Sequence, residues 1–321
     1  MKWDGKKITK PGVYDMPLLA YHGQPCDGPS VSSSSLRTIF TKSPAHFWVS
    51  SSLNPNAVPQ EDTDAFILGR AAHHLLLGED DFSTLFIVRP DELDGEKWQG
   101  NRKACKAWLA HQQAAGRTVL KPEQIEKIRG MAKSLSRHPL IQAGILNGEI
   151  EKSLIFRDKE TGIWIKSRPD TIPNDGGDVA DLKTTTHTGF DIDDSASKLR
   201  YDAQAAITKW ALKAVLDIEM TSFSLVFVEK EPPHCVDVLT IQSEDIQRAE
   251  DDMRVALRVL RHCLDTGDWF GPSGTQNDAR FLAFSQRVRE RAEHRRDFLM
   301  REIAKSAAAN EPSELEYLST P

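Results

Sequence analysis

The chain of 321 residues is 39% hydrophobic and 27% charged, with a formal net charge of −6, which fits one large domain or one domain with an appendage. No apolar run approaches the roughly 18 residues of a membrane span, and the opening MKWDGKKITK lacks an apolar signal-peptide core, so a cytoplasmic protein with no membrane association is expected. The scattered Cys26, Cys105, Cys235 and Cys263 form no C-x-x-C pair, which argues against a zinc knuckle, a disulfide framework or an iron–sulfur cluster.

There are no internal repeats. In chain order, SVSSSSLRTIFTKSPAHFWVSS predicts two short helices, the first with a serine N-cap and the second restarted at Ser-Pro. Residues 61–77 predict a helix with acids in its first turn, and 102–115 and 122–137 predict two more, the latter opened by Pro122. Charge is unevenly spread: residues 61–100 carry ten acids against three bases, and 101–149 carry nine Lys/Arg against three acids. A polyanion would have to meet a local basic surface rather than a global field; a solvated helical face is the alternative.

From 150 the period changes. EIEKSLIFRD, GIWIKSRPDTIP and DVADLKT alternate between turn residues and predict three strands. A helix over 190–216, strands TSFSLVFVEK and HCVDVLTI, and a long helix over 243–265 follow. A charged helix near 278–306, with Arg287, Arg289, Arg291, Arg295 and Arg296 among five acids, precedes a polar tail. It is expected to contact DNA or a partner, or to be a solvated or oligomer-packing helix. The fold class is α/β (α+β), divided as a domain over 1–270 and a helical extension over 271–321.

A hairpin turning at Asp175-Gly176 would set Asp170 opposite Asp181 and Arg168 opposite Lys183, at ~4.5–5.5 Å between Cβ atoms. Asp181 and Lys183 share a face, and Ile163, Ile165, Ala180 and Leu182 would form the apolar one. Opposed carboxylates repel unless a cation such as Mg²⁺ lies between them; otherwise Asp170 caps a turn or pairs with Arg168. Lys183 would hold a water or stabilise negative charge. Arg168 and Lys166 share the polar face as candidate phosphate contacts, or as charge balance. In GRAAHHLL, Gly69 and His73 are four apart on one helical face, so the glycine admits another backbone and the histidine points at the same place. His74 is a rival, and an imidazole ligand suits Mn²⁺ as well as Mg²⁺.

SSSSLRTIFTKSPAHFW, LGRAAHHLLL, IEKSLIF…TGIWIKSRPDTI, DLKTT and YDAQAAITKW, in order over roughly residues 20–230, resemble the RecE-type exonucleases (exodeoxyribonuclease VIII) of phages and prophages. These belong to the PD-(D/E)xK nuclease superfamily, near its RecB-like branch. The resemblance implies a restriction-endonuclease-like core, a mixed central sheet flanked by helices in the order α-β-β-β-α-β. It implies Mg²⁺-dependent hydrolysis of DNA phosphodiesters, with Mn²⁺ as a substitute. His73, Asp170, Asp181 and the Leu182 carbonyl would hold metal, Lys183 would be the catalytic lysine, and Glu151 a strand acid near Arg168. Tyr201 and Gln204 would support the site and the DNA, although the RecB-like Gln-x-x-x-Tyr pattern has Thr208 at its last position.

Such relatives work 5′ to 3′ on double-stranded DNA ends and feed a single-strand annealing recombinase. Several are ring-shaped homo-oligomers, which would turn Arg102, Lys103, Lys106 and Arg117 toward a DNA channel. The expected setting is a bacterial host cytoplasm. An endonuclease or single-strand nuclease on the same core, or a catalytically inactive DNA-binding module, are the alternatives.

Overall fold

A computed structural model of the chain describes residues 1–58, 63–78, 82–174, 176–189, 192–274, 279 and 282–309, with side chains through 302. It divides into units Met1–Gly274 and Thr275–Pro321.

In the first unit the chain opens with strands β1 (Gly12–Tyr14) and β2 (Ser30–Ser32), short segments that carry no readable alternation. Helix α1 (Ser33–Thr41) follows, then α2 (Asp64–Leu76) and α3 (Pro122–Leu135). The Thr63 hydroxyl accepts from the Phe66 N–H at the start of α2, and Pro122 opens α3, where a missing N–H costs nothing. Next come β3 (Gly148–Ile150), β4 (Ser153–Arg157), β5 (Trp164–Ser167), β6 (Thr171–Pro173) and β7 (Asp178–Thr185). Helix α4 (Tyr201–Leu216), strands β8 (Ser222–Glu229) and β9 (Val236–Thr240), and helix α5 (Ser243–Thr266) follow. Shorter elements, among them helices Pro44–Ser50 and Lys103–Ala114, lie between those named.

The hairpin expected across Asp175-Gly176 does not form. Asp175 lies outside the described residues, but the strands on either side have other partners. β6 pairs antiparallel with β3, Thr171 opposite Ile150, and β7 pairs parallel with β8, Asp181 opposite Leu225. The strand expected over 162–173 is two strands, because Arg168-Pro169-Asp170 interrupts it and proline supplies no N–H to a ladder. β8 also pairs antiparallel with β9, so the central sheet is mixed and β7 is its edge. A second sheet has the order β1-β4-β5-β2.

The helix expected over 190–216 is also two, Ile192–Lys198 and α4, broken at Arg200 with φ 51°. Left-handed backbone at a non-glycine residue cannot be foreseen from composition. In the second unit the charged helix spans Gln286–Ala309, starting later than expected.

Two apolar cores lie on opposite faces of β7 and β8. Val179, Phe223, Leu225 and Phe227 pack with α1, α4 and α5, together with Ile163 and Ile165. Ala180, Leu182, Val226 and Val228 pack with α2 and α3. The four residues expected on one apolar face, Ile163, Ile165, Ala180 and Leu182, are all fully buried but divide between these cores. A buried aliphatic side chain contributes about 1.5–3 kcal/mol, so β7 is anchored from both sides.

Candidate active site

Helix α2 delivers the histidine. Leu68, Ala71 and Ala72 face the core, which turns His73 along one flank of that face. Its neighbour His74 is buried, with its ring centroid 5.6 Å from that of Phe86 and 6.2 Å from that of Phe82. The choice between them therefore falls on His73, whose Nδ1 is 3.4 Å from Asp170 Oδ1. Gly69 does not admit another backbone: the nearest atom to a Cβ built there is Thr184 Oγ1, at 3.4 Å.

Asp170 reaches the edge of the central sheet. The Leu182 N–H donates to its Oδ2 at 2.5 Å, and the Glu151 N–H donates to its backbone carbonyl at 3.0 Å. In a strand the N–H and C=O of one residue leave on the same side, so the Leu182 carbonyl projects on that edge too. One ligand atom each from His73, Glu151 and Asp170 lie within 4.8 Å of one another. The spatial cluster therefore includes Glu151 beside the expected His73 and Asp170.

Asp181 extends from the other face of β7 and is fully buried. Lys183 forms an ion pair with its Oδ2, and Gln204 Nε2 on α4 donates to its Oδ1. Asp181 Oδ2 accepts no well-aligned hydrogen bond of its own. The Lys183 ammonium also lies 5.0 Å from the centre of the Tyr201 ring. Thr208, one turn beyond Gln204, is buried with its hydroxyl 3.1 Å from Ser167 Oγ. That helix position faces β5.

Burial and the nearby Asp170 charge raise the pKa of Asp181. Burial also opposes ionisation of Asp170, but His73, Lys183 and the Leu182 N–H outweigh it and hold that pKa down. Burial disfavours the charged forms of His73 and Lys183, yet Asp170 raises His73, and Asp181 and Asp170 raise Lys183. The group is two carboxylates with unlike proton affinities, flanked by an imidazole and an ammonium.

Beside Lys183 opens a cavity of about 260 Å³ lined by Ser33, Ser34, Arg37, Arg200, Tyr201 and Gln204. Arg37 and Arg200 were not singled out by sequence reasoning, although Arg37 lies one turn after the serine cap. Ser32 makes no side-chain cap bond at the start of α1. Arg37 donates to the Leu199 carbonyl, and Arg200 to Asp202 and Asp252. Cationic side chains and hydroxyls make this cavity suited to an anion.

The remaining candidates lie apart from one another. Arg168 Nε donates to Glu151 Oε2 at 2.5 Å, as proximity of the pair implies. Lys166 is 3% exposed, with its ammonium on the Tyr21 and Gly23 carbonyls at 2.6 and 2.7 Å. It is a buried strut and not a surface cation, because β5 lies inside the second sheet. Arg102 pairs with Glu96 at 2.9 Å, and Lys103 is exposed at the start of the helix over Lys103–Ala114.

An imidazole with carboxylates and a backbone carbonyl is a donor set for a hard divalent ion. The crowding of His73, Glu151 and Asp170 fits such an ion, while the expected ligand Asp181 is paired with Lys183 and stands outside that cluster. Among the described residues no helix is long and apolar enough to cross a membrane.

Residues 32–280 match a family described as a PDDEXK-like domain of unknown function (DUF3799). No curated protein matches the chain. The fold is similar to the crystal structure of a protein named "Putative exonuclease" from Eubacterium rectale, with a TM-score of 0.55 and 14% identity over 84% of this chain and 96% of that one. At that identity the likeness is one of fold. A phage related exonuclease from Haemophilus somnus 129PT aligns over 62% of this chain and 95% of that one at 15% identity, but its TM-score of 0.30 carries no weight.

Proposed function

The chain belongs to this PDDEXK-like family and has the PD-(D/E)xK core, and on that premise we propose that it is a divalent-metal-dependent deoxyribonuclease that hydrolyses phosphodiesters from the ends of duplex DNA. The observation that carries this reading is the meeting of His73, Asp170, Asp181 and Lys183 at the edge of β7. Its residues come from a helix, a loop and a strand that share no local sequence.

His73, Asp170 and Asp181, with Glu151 and the Leu182 carbonyl, are the groups that would hold Mg²⁺ or Mn²⁺. When bound, such an ion supplies positive charge at the phosphate and a more acidic water. Lys183 is held beside Asp181 and can orient the attacking water or meet charge as it develops. Gln204 fixes the Asp181 carboxylate, and Tyr201 covers the lysine. Arg37, Arg200 and the serines of α1 face a cavity that suits a neighbouring backbone phosphate.

Action 5′ to 3′, service to phage-type recombination with an annealing recombinase, and a ring-shaped assembly follow from the RecE-type resemblance and complete the proposal. Linear duplex labelled at the 5′ or the 3′ end, incubated with Mg²⁺, Mn²⁺ or EDTA, is the test. Ion-dependent loss of label from linear DNA is expected, with closed circles intact and at least a thousandfold less activity in Asp181→Ala (an order-of-magnitude expectation). Cleavage of closed circles makes the protein an endonuclease, and ion-independent binding without cleavage makes it an inactive DNA-binding module.

A further inference from the structure

Glu151 has a left-handed backbone, φ 52°. For a residue with a Cβ this conformation costs about 1–2 kcal/mol, so something must hold it there. Its N–H donates to the Asp170 carbonyl, which ties the two acids by their backbones. Its side chain is held by Arg168, with the partners only 10% and 17% exposed.

Arg168 is itself fixed from two further directions. Its Nη1 donates to the Met16 carbonyl at 2.9 Å and to Ser153 Oγ at 3.4 Å. Pro169 follows it and restricts the backbone leading to Asp170. The guanidinium thus joins three strands' worth of chain: the segment after β1, the start of β4 and the loop that carries Asp170. A planar fork with fixed donor directions can orient a carboxylate in a way that a lysine ammonium cannot.

Resting on the metal-dependent reading above, we propose that Arg168 is a positioning residue for the ion, acting through Glu151. The arginine turns the Glu151 carboxylate toward His73 and Asp170 and so completes the cluster. Met16 lies before residue 32, where the family match begins, so the N-terminal segment braces the ion site through this arginine.

The test is Mn²⁺ binding by calorimetry to wild type, Arg168→Lys, Glu151→Gln and the double variant. The metal-free fold is followed by circular dichroism and thermal unfolding. Removing an orienting partner of a ligand typically weakens metal affinity about 10–100-fold. Arg168→Lys is expected to fall in that range, although its charge is kept, and Glu151→Gln at least as far. If the arginine acts through the glutamate, the double variant binds no more weakly than Glu151→Gln alone.

Wild-type affinity in Arg168→Lys, or a further additive loss in the double variant, overturns the assignment. Arg168→Gln serves if the lysine variant does not fold. If neither folds metal-free, Arg168 is structural and the assignment fails. Wild-type protein that binds no Mn²⁺ removes the metal-dependent reading as well, so the two failures are distinct.

Discussion

At the scale of single residues, the site is defined by which polar groups are buried together and which are buried alone. Asp181 has Lys183 and Gln204 beside it, whereas among the described residues Lys166 has only carbonyls within hydrogen-bond reach. Burial pushes the Lys166 ammonium down to about 8 from its ordinary 10.5. Below pH 8 the folded and unfolded chains both hold this proton, and the group's contribution is flat and at its least favourable. Between about 8 and 10.5 the unfolded chain keeps a proton that the folded chain has released, so stability from this group rises with pH. The rise is at most about 3 kcal/mol. Urea midpoints at pH 7, 8.5 and 10 should show it in wild type and not in Lys166→Met; parallel curves for the two proteins would remove the argument. The same buried position explains why charge alone misplaces this residue: Lys166 and Arg168 alternate in a strand-like run, but the break at Pro169 and the carbonyls around Tyr21 separate their surroundings.

At the scale of elements, glycines decide how closely the strands can approach. A Cβ at Gly177, just before β7, would lie 1.9 Å from the Glu219 carbonyl oxygen and 2.8 Å from the Thr221 nitrogen, so Gly177→Ala must push β7 and β8 apart where they begin. A loss of about 1–3 kcal/mol is expected in denaturant unfolding. At Gly69 the nearest atom is a flexible threonine hydroxyl at 3.4 Å, and alanine there should be neutral or should stabilise α2 by about 0.5–1 kcal/mol. Equal responses at the two positions would show that backbone approach is not what matters. Most elements were legible from period and caps: α2, β4, β7, β8 and α5 lie close to where alternation and helical spacing put them. Pairing was not legible. The partner of β6 comes from upstream and that of β7 from beyond α4, whereas local turn chemistry suggested that the two strands faced each other. The acids nevertheless meet, because Asp170 reaches the β7 edge through the Leu182 N–H instead of through a ladder.

At the scale of the whole molecule, the proposed function needs DNA affinity that a net charge of −6 leaves to a local surface. Arg37 and its cavity are part of that surface in the proposed function, so Arg37→Ala should weaken duplex binding and make its salt dependence shallower by about 0.9 in log–log slope, the value of one lost phosphate contact on B-DNA. Fluorescence anisotropy between low and moderate salt measures this, and an unchanged slope would take Arg37 off the DNA. The parallel pairing of β7 with β8 reaches further, into how the protein is made. A nascent chain halted before Ser222 already contains His73, Glu151, Asp170, Asp181, Lys183 and Gln204, yet it has no strand against which to lay the one that bears the lysine. So distant a pairing waits for the later segment, and the strand that bears the lysine is fixed in the sheet only once Ser222–Glu229 has been made. A fragment ending before Ser222 is expected to lack a paired β7 and, on the proposed function, to be without nuclease activity.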